Sequence, residues 1–201
     1  RQLNLRIGRI QLVIIGGIVS GFVPIGSRFV TCWVGPEYGT LVLSTVLLII
    51  PSLFDLPLLV ENTALVAAGY VKQRGIIYIV MAIINIALGF LLSFKFGSVG
   101  ACAAICISYF VRIFGQCRLY LNYLEFEVVP FFRSAFPRWI VTSAVAILFT
   151  MIASSLISNN GWLGLILSAI VYLSIYVAVS FVLYFNQSEI QLFKSLVGLK
   201  R

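Results

Sequence analysis

The first residue in this chain that could do chemistry is an aspartate in the middle of an apolar stretch. Asp55 lies in residues 40–70, TLVLSTVLLIIPSLFDLPLLVENTALVAAGY, a segment with no Lys or Arg and with prolines at 51 and 57. A carboxylate at the membrane depth such a segment implies is costly unless it faces a cavity, meets a cation or takes up a proton. Two arginines, Arg28 and Arg112, are the matching cations inside apolar runs. A guanidinium donates charge-assisted, often bidentate, hydrogen bonds to phosphate and carboxylate groups, so both are candidates to hold an acidic substrate group. Asp55 would then be their counter-ion, or a group whose protonation couples to opening of a cavity. Asn85 and Ser108 are further polar candidates within spans. Glu61 is weaker, because six residues of helix turn it about 120° from Asp55. The two acids therefore do not form a paired-carboxylate site, and Glu61 reads as an interfacial residue facing Lys72 or Arg74. Arg28 has a second reading too, as a cation that snorkels to headgroups.

Other chemistry is poorly served. The chain has no His, and its four cysteines (Cys32, Cys102, Cys106 and Cys117) lie in or beside apolar runs without clustered acids. No metal site, haem or Cys/His nucleophile is expected. Nor does any nucleophile–base pair or phosphate loop suggest an enzyme, and no cofactor is called for.

The elements that must position these residues are membrane helices. Of 201 residues, 61% are hydrophobic and 10% charged, with a mean hydropathy of +1.09. Soluble domains carry nearer ~25% charged residues. Six runs are long enough to span a bilayer: about 10–33, 40–68, 76–94, 98–117, 138–157 and 162–185. The second exceeds what a straight span needs, since a helix over residues 40–70 would reach about 46 Å against a core of about 30 Å. Its prolines mark the expected kink. The net charge of +8 follows membrane sidedness rather than nucleic-acid binding: twelve basic residues fall on one side of the six spans and only Arg28 and Lys95 on the other. Both termini are therefore expected in the cytoplasm.

Small residues mark close helix contacts. Gly17 and Gly21 form a GxxxG on one stripe with Pro24 and Arg28. Ser44, Pro51, Asp55 and Asn62 make a polar stripe on the second span; Tyr78, Ala82, Asn85 and Gly89 share a face of the third. A tight turn at Lys95-Phe96-Gly97 leads to a fourth span whose Ala101, Ala104, Ser108, Arg112 and Gly115 share a face. Residues 1–118 form a four-span unit. Residues 119–137 read as a cytoplasmic interfacial connection broken at Pro130 and Pro137, 138–186 as a charge-poor helix pair, and 187–201 as a cytoplasmic tail. Because the chain begins at Arg1 without a signal-peptide pattern, it reads as the C-terminal part of a longer protein.

The order of these features resembles a known family. WVGPEY at residues 33–38 closes one helix, a long kinked helix ends at Lys72-Gln73-Arg74, Asn85 sits in mid-span, and GSVGA at residues 97–101 opens a small-residue helix carrying Ser108. Over residues 5–120 this resembles the C-terminal half of bacterial Wzx-like polysaccharide (O-antigen) flippases of the multidrug/oligosaccharidyl-lipid/polysaccharide exporter superfamily. The resemblance implies an all-α polytopic membrane protein supplying most of the second lobe of a two-lobe exporter, with residues 138–186 as an accessory helix pair. It implies flipping of undecaprenyl-pyrophosphate-linked oligosaccharide across the bacterial cytoplasmic membrane, for O-antigen, lipopolysaccharide, capsule or exopolysaccharide synthesis. The implied partners are the lipid bilayer, the N-terminal lobe of the full-length chain and polysaccharide polymerase machinery, with H+ or Na+ as coupling ion. The typically cationic cavity of such flippases points again to Arg28 and Arg112. The rival readings are a cation-coupled drug antiporter of the same superfamily, with Asp55 essential, and a non-transporting membrane remnant.

Overall fold

Apolar runs that meet hydrocarbon must satisfy their backbone groups internally, which helices do. The computed structural model describes residues 2–39, 41–156 and 161–183, and every regular element among them is helical. The helices are α1 (Gln2–Trp33), α2 (Leu41–Ile49), α3 (Ser52–Asp55), α4 (Leu59–Ala67), α5 (Val71–Leu124), α6 (Val128–Leu156) and α7 (Trp162–Leu183), with short 3-10 turns at Pro36–Tyr38 and Leu56–Leu58. Among the described residues, five helical stretches are long and apolar enough to cross a membrane. Their exteriors are apolar: Phe90 is 74% exposed and Phe94 88%, a surface suited to lipid rather than water. The expected tail, residues 187–201, lies outside the described residues.

The second stretch is interrupted where its prolines sit. Pro51 separates α2 from α3, and Pro57 lies in the 3-10 turn that separates α3 from α4. Each proline removes a backbone donor, so the ladder breaks around Asp55 while the chain keeps its direction.

The longest helix, α5, folds back on itself. Gly97 takes φ 58°, ψ −136° in its middle, a conformation that glycine alone adopts easily. Tyr70, just before α5, packs against Tyr123 near its other end, with ring centroids 4.1 Å apart. Fifty-four residues of straight helix would put those ends about 80 Å apart. The arm before Gly97 therefore lies against the arm after it. The arms pack closely where Gly115 faces Ile77, 3.1 Å from where a Cβ would stand, and at the turn, where a Cβ on Gly100 would collide with the Leu92 carbonyl.

Helix α1 is the common wall of the bundle. It runs antiparallel to α2–α4, with Gly8 against the Pro57 carbonyl and Leu12 packed with Leu53. Helix α6 runs parallel to it, placing Phe131 at Gly8 and Trp139 at Gly16. Helix α7 returns antiparallel, seating Tyr176 on Gly17 and Tyr172 on Gly21. The expected GxxxG approach thus occurs, with tyrosine rings filling the two notches. Trp33 meets Trp162 at one end of the bundle, 6.1 Å between centroids. The other end is closed by a cluster of Leu58, Leu65, Tyr120, Phe126, Val128 and Phe131.

The connection expected over residues 119–137 is shorter than the sequence suggests. Helix α5 continues to Leu124, Glu125 turns the chain with a left-handed φ of 51°, and α6 begins at Val128. Pro130 falls in the first turn of α6, where its missing N–H has no partner to lose. Pro137 lies inside the helix and leaves the Arg133 carbonyl without its usual donor. Neither proline ends α6.

Candidate functional site

The structure joins Asp55 to Arg112. A carboxylate oxygen of Asp55 lies 2.7 Å from a terminal nitrogen of Arg112; the Arg112 side chain is 5% exposed and that of Asp55 28%. Arg112 comes from the far arm of α5, which the turn at Gly97 brings back beside α2–α4. Its other terminal nitrogen donates to the Tyr78 hydroxyl at 3.0 Å and makes a long 3.5 Å contact with Oε1 of Gln116. Arg74 donates to the same Tyr78 hydroxyl at 3.2 Å. Two guanidiniums thus converge on one oxygen, and both lie over the Tyr78 ring, 5.1 and 5.3 Å from its centroid. The Tyr109 ring lies 4.7 Å from the Arg112 guanidinium. Cation–π contacts of this kind hold a guanidinium in place without consuming its N–H donors.

Donors are left over. Nε of Arg112, Nε of Arg74 and Nε2 of Gln116 are buried and have no hydrogen-bond acceptor among the described residues. The groups in direct contact are two guanidiniums, Arg74 and Arg112, and one carboxylate, Asp55, while the buried Glu61 carboxylate acts on the neighbouring Tyr120. A donor-rich, partly desolvated spot with two guanidiniums is chemically suited to an anion.

The other candidates lie elsewhere. Arg28 neither snorkels outward nor joins Arg112. Its guanidinium donates to Oγ of Ser168 on α7 at 2.9 Å and to the Ser154 carbonyl on α6 at 3.1 Å. The charge-poor helix pair therefore clasps the one cation of α1's glycine stripe. Glu61 is buried at 2% exposure rather than lying at an exposed interface, and Lys72 is exposed. Ser108 is also buried but returns its proton to the Ala104 carbonyl of its own helix at 2.7 Å. Asn85 is half-buried on the first arm of α5, two turns beyond Tyr78, and its side chain makes no hydrogen bond among the described residues. No cluster of three His, Cys, Asp or Glu that could hold a metal occurs among the described residues.

Sequence reasoning missed Arg74, Tyr78, Tyr109 and Gln116 as members of the site. A signal existed: Arg74–Tyr78 and Arg112–Gln116 are both i,i+4 pairs, neighbours on any helix. A separate groove of about 630 Å³ runs between α1 and α7, walled by Ile14, Ile18, Phe22, Tyr172 and Tyr176. It is apolar and does not reach the Arg112 cluster. Compared with protein families, curated proteins and solved structures, the chain matches none.

Proposed function

We propose that this chain is the second-lobe part of a bacterial membrane translocator that flips lipid-linked oligosaccharide or polysaccharide repeat units from the inner to the outer leaflet. The supporting observation is the convergence of Arg74 and Arg112 on the Tyr78 hydroxyl within apolar helices, with buried donors to spare. A flippase must hide an acidic head from hydrocarbon, and such an anion spot on a rockable helical wall meets that need. In this reading the two arms of α5 are separate crossings, giving six, and the open face of the first arm meets the N-terminal lobe. The carrier is undecaprenyl pyrophosphate in the cytoplasmic membrane, the protein is not an enzyme, and H+ or Na+ is the coupling ion. The α6–α7 pair is accessory and braces α1 through Arg28.

The drug-antiporter alternative needs a carboxylate that can accept a cation from solution. Asp55 already faces Arg112, which favours the anion reading. The test uses cells that build a labelled lipid-linked repeat but lack their own flippase. The full-length gene is expected to restore exposure of the repeat at the periplasmic face, and Arg112→Ala to abolish it while still inserting in the membrane. Exposure that survives Arg112→Ala, or that no repeat unit elicits, rejects the proposal.

A further inference from the structure

We infer that Asp55 is a built-in stand-in for a phosphate-class anion: with no ligand bound, its carboxylate occupies the place on Arg112 that a phosphate or diphosphate group takes. The inference deepens the translocator reading and rests on it for the lipid carrier. Exposure sets the route. Arg112 is 5% exposed and Asp55 28%, so the carboxylate stands on the accessible side of the guanidinium. An anion entering from that side meets Arg112 by replacing Asp55.

Donor number sets the ligand. A carboxylate offers two oxygens, and the Asp55 carboxylate leaves Nε of Arg112, Nε of Arg74 and Nε2 of Gln116 unmet. A phosphate or diphosphate brings more oxygens over a wider span and can accept from several such donors at once. Charge agrees, since removal of Asp55 from the guanidinium leaves two arginines facing the newcomer. The backbone allows the exchange. Asp55 is the last residue of a four-residue helix, with Pro51 before it and the 3-10 turn carrying Pro57 after it. A small change in that interrupted stretch can swing the carboxylate away without unwinding α2 or α4. Tyr78 and Tyr109 keep the Arg112 guanidinium in position while its partner changes.

The test measures equilibrium binding to the purified chain in phosphatidylcholine nanodiscs, with farnesyl diphosphate, farnesol and inorganic pyrophosphate as probes. Farnesyl diphosphate is expected to bind and farnesol not to. Asp55→Asn is expected to tighten farnesyl diphosphate binding about tenfold, because apparent affinity scales with the fraction of molecules in which Arg112 is free. Arg112→Gln is expected to lose it. Pyrophosphate that competes as well as farnesyl diphosphate keeps the stand-in role and assigns the site to a free phosphate compound rather than a lipid. Equal binding of farnesol, or an Asp55→Asn variant no tighter than wild type, overturns the inference. Should Asp55→Asn fail to fold, wild type decides: farnesyl diphosphate is expected to increase carbodiimide labelling of Asp55, mapped by mass spectrometry, and unchanged or reduced labelling overturns it. The two ideas fail separately. Binding without repeat-unit exposure in cells rejects the translocator, while exposure without a gain from Asp55→Asn rejects the stand-in.

Discussion

At the scale of single residues, the energetics turn on Arg112 and its partners. Each is inexpensive only in company, because an unpaired charge or donor in a desolvated site loses its hydration without replacement. Asp55→Ala is expected to destabilise the purified protein by about 1–3 kcal/mol, read as a lower unfolding midpoint in detergent. Adding Arg112→Met to Asp55→Ala should recover part of that loss. Losses that simply add would mean that the two side chains do not interact. Tyr78→Phe separates the roles of ring and hydroxyl. The ring contacts to Arg74 and Arg112 persist, while both hydrogen bonds to the hydroxyl disappear. The expected cost is about 1–2 kcal/mol of stability, and a shift near zero would show that the hydroxyl does not organise the two arginines.

Among the helices, the hairpin and the glycine notches decide which faces meet. A methyl at Gly100 would stand 2.1 Å from the Leu92 carbonyl oxygen, a backbone atom that cannot step aside, whereas at Gly89 nothing lies within 4 Å. Gly100→Ala is therefore expected to disrupt the fold-back of α5 and lower yield in the membrane. Gly89→Ala should be neutral or raise stability by about 0.5–1 kcal/mol, since alanine favours helix over glycine. Equal thermal midpoints for the two variants would contradict this account of the turn. Sequence made much of this level legible. The helical, membrane-length character of the runs, the interruption around Asp55, the tight turn ending at Gly97 and the glycine stripe of α1 follow from apolar run lengths, proline positions and helical spacing. Five spanning stretches stand among the described residues where six runs are expected, residues 76–94 and 98–117 lying in the one helix α5. Partnerships follow only in part: of the two arginines read as cations for Asp55, Arg112 meets it and Arg28 does not. Fifty-seven positions separate Asp55 from Arg112, and no periodicity within one helix says which distant helix its stripe will face. Arg28 shows the same limit: its stripe is readable, but nothing marks Ser168 or the Ser154 carbonyl among the other hydroxyl residues of α6 and α7 as its acceptors.

For the molecule as a whole, the distribution of basic residues and the geometry of α5 can be tested together. By the positive-inside rule, residues 125–127 are expected on the cytoplasmic side. If the arms of α5 are two crossings, residues 95–97 lie on the opposite side. A membrane-impermeant thiol reagent added outside spheroplasts should label a single cysteine placed at Lys95 and spare one placed at Glu125. Matching accessibility at both positions would refute two crossings.

The clasp on Arg28 also has a consequence for the order in which the protein is made. Its two acceptors arrive 126 and 140 residues later in the chain. At about 5–20 residues per second, the ribosome needs roughly 6–28 s to supply them. Throughout that interval the Arg28 guanidinium lacks both of these acceptors, and Gly17 and Gly21 are uncovered by the tyrosines of α7. A chain truncated before α7 is therefore expected to leave Arg28 without Ser168, and Gly17 and Gly21 without their tyrosine covers, and to be degraded faster than the chain that includes α7, as read by pulse-chase.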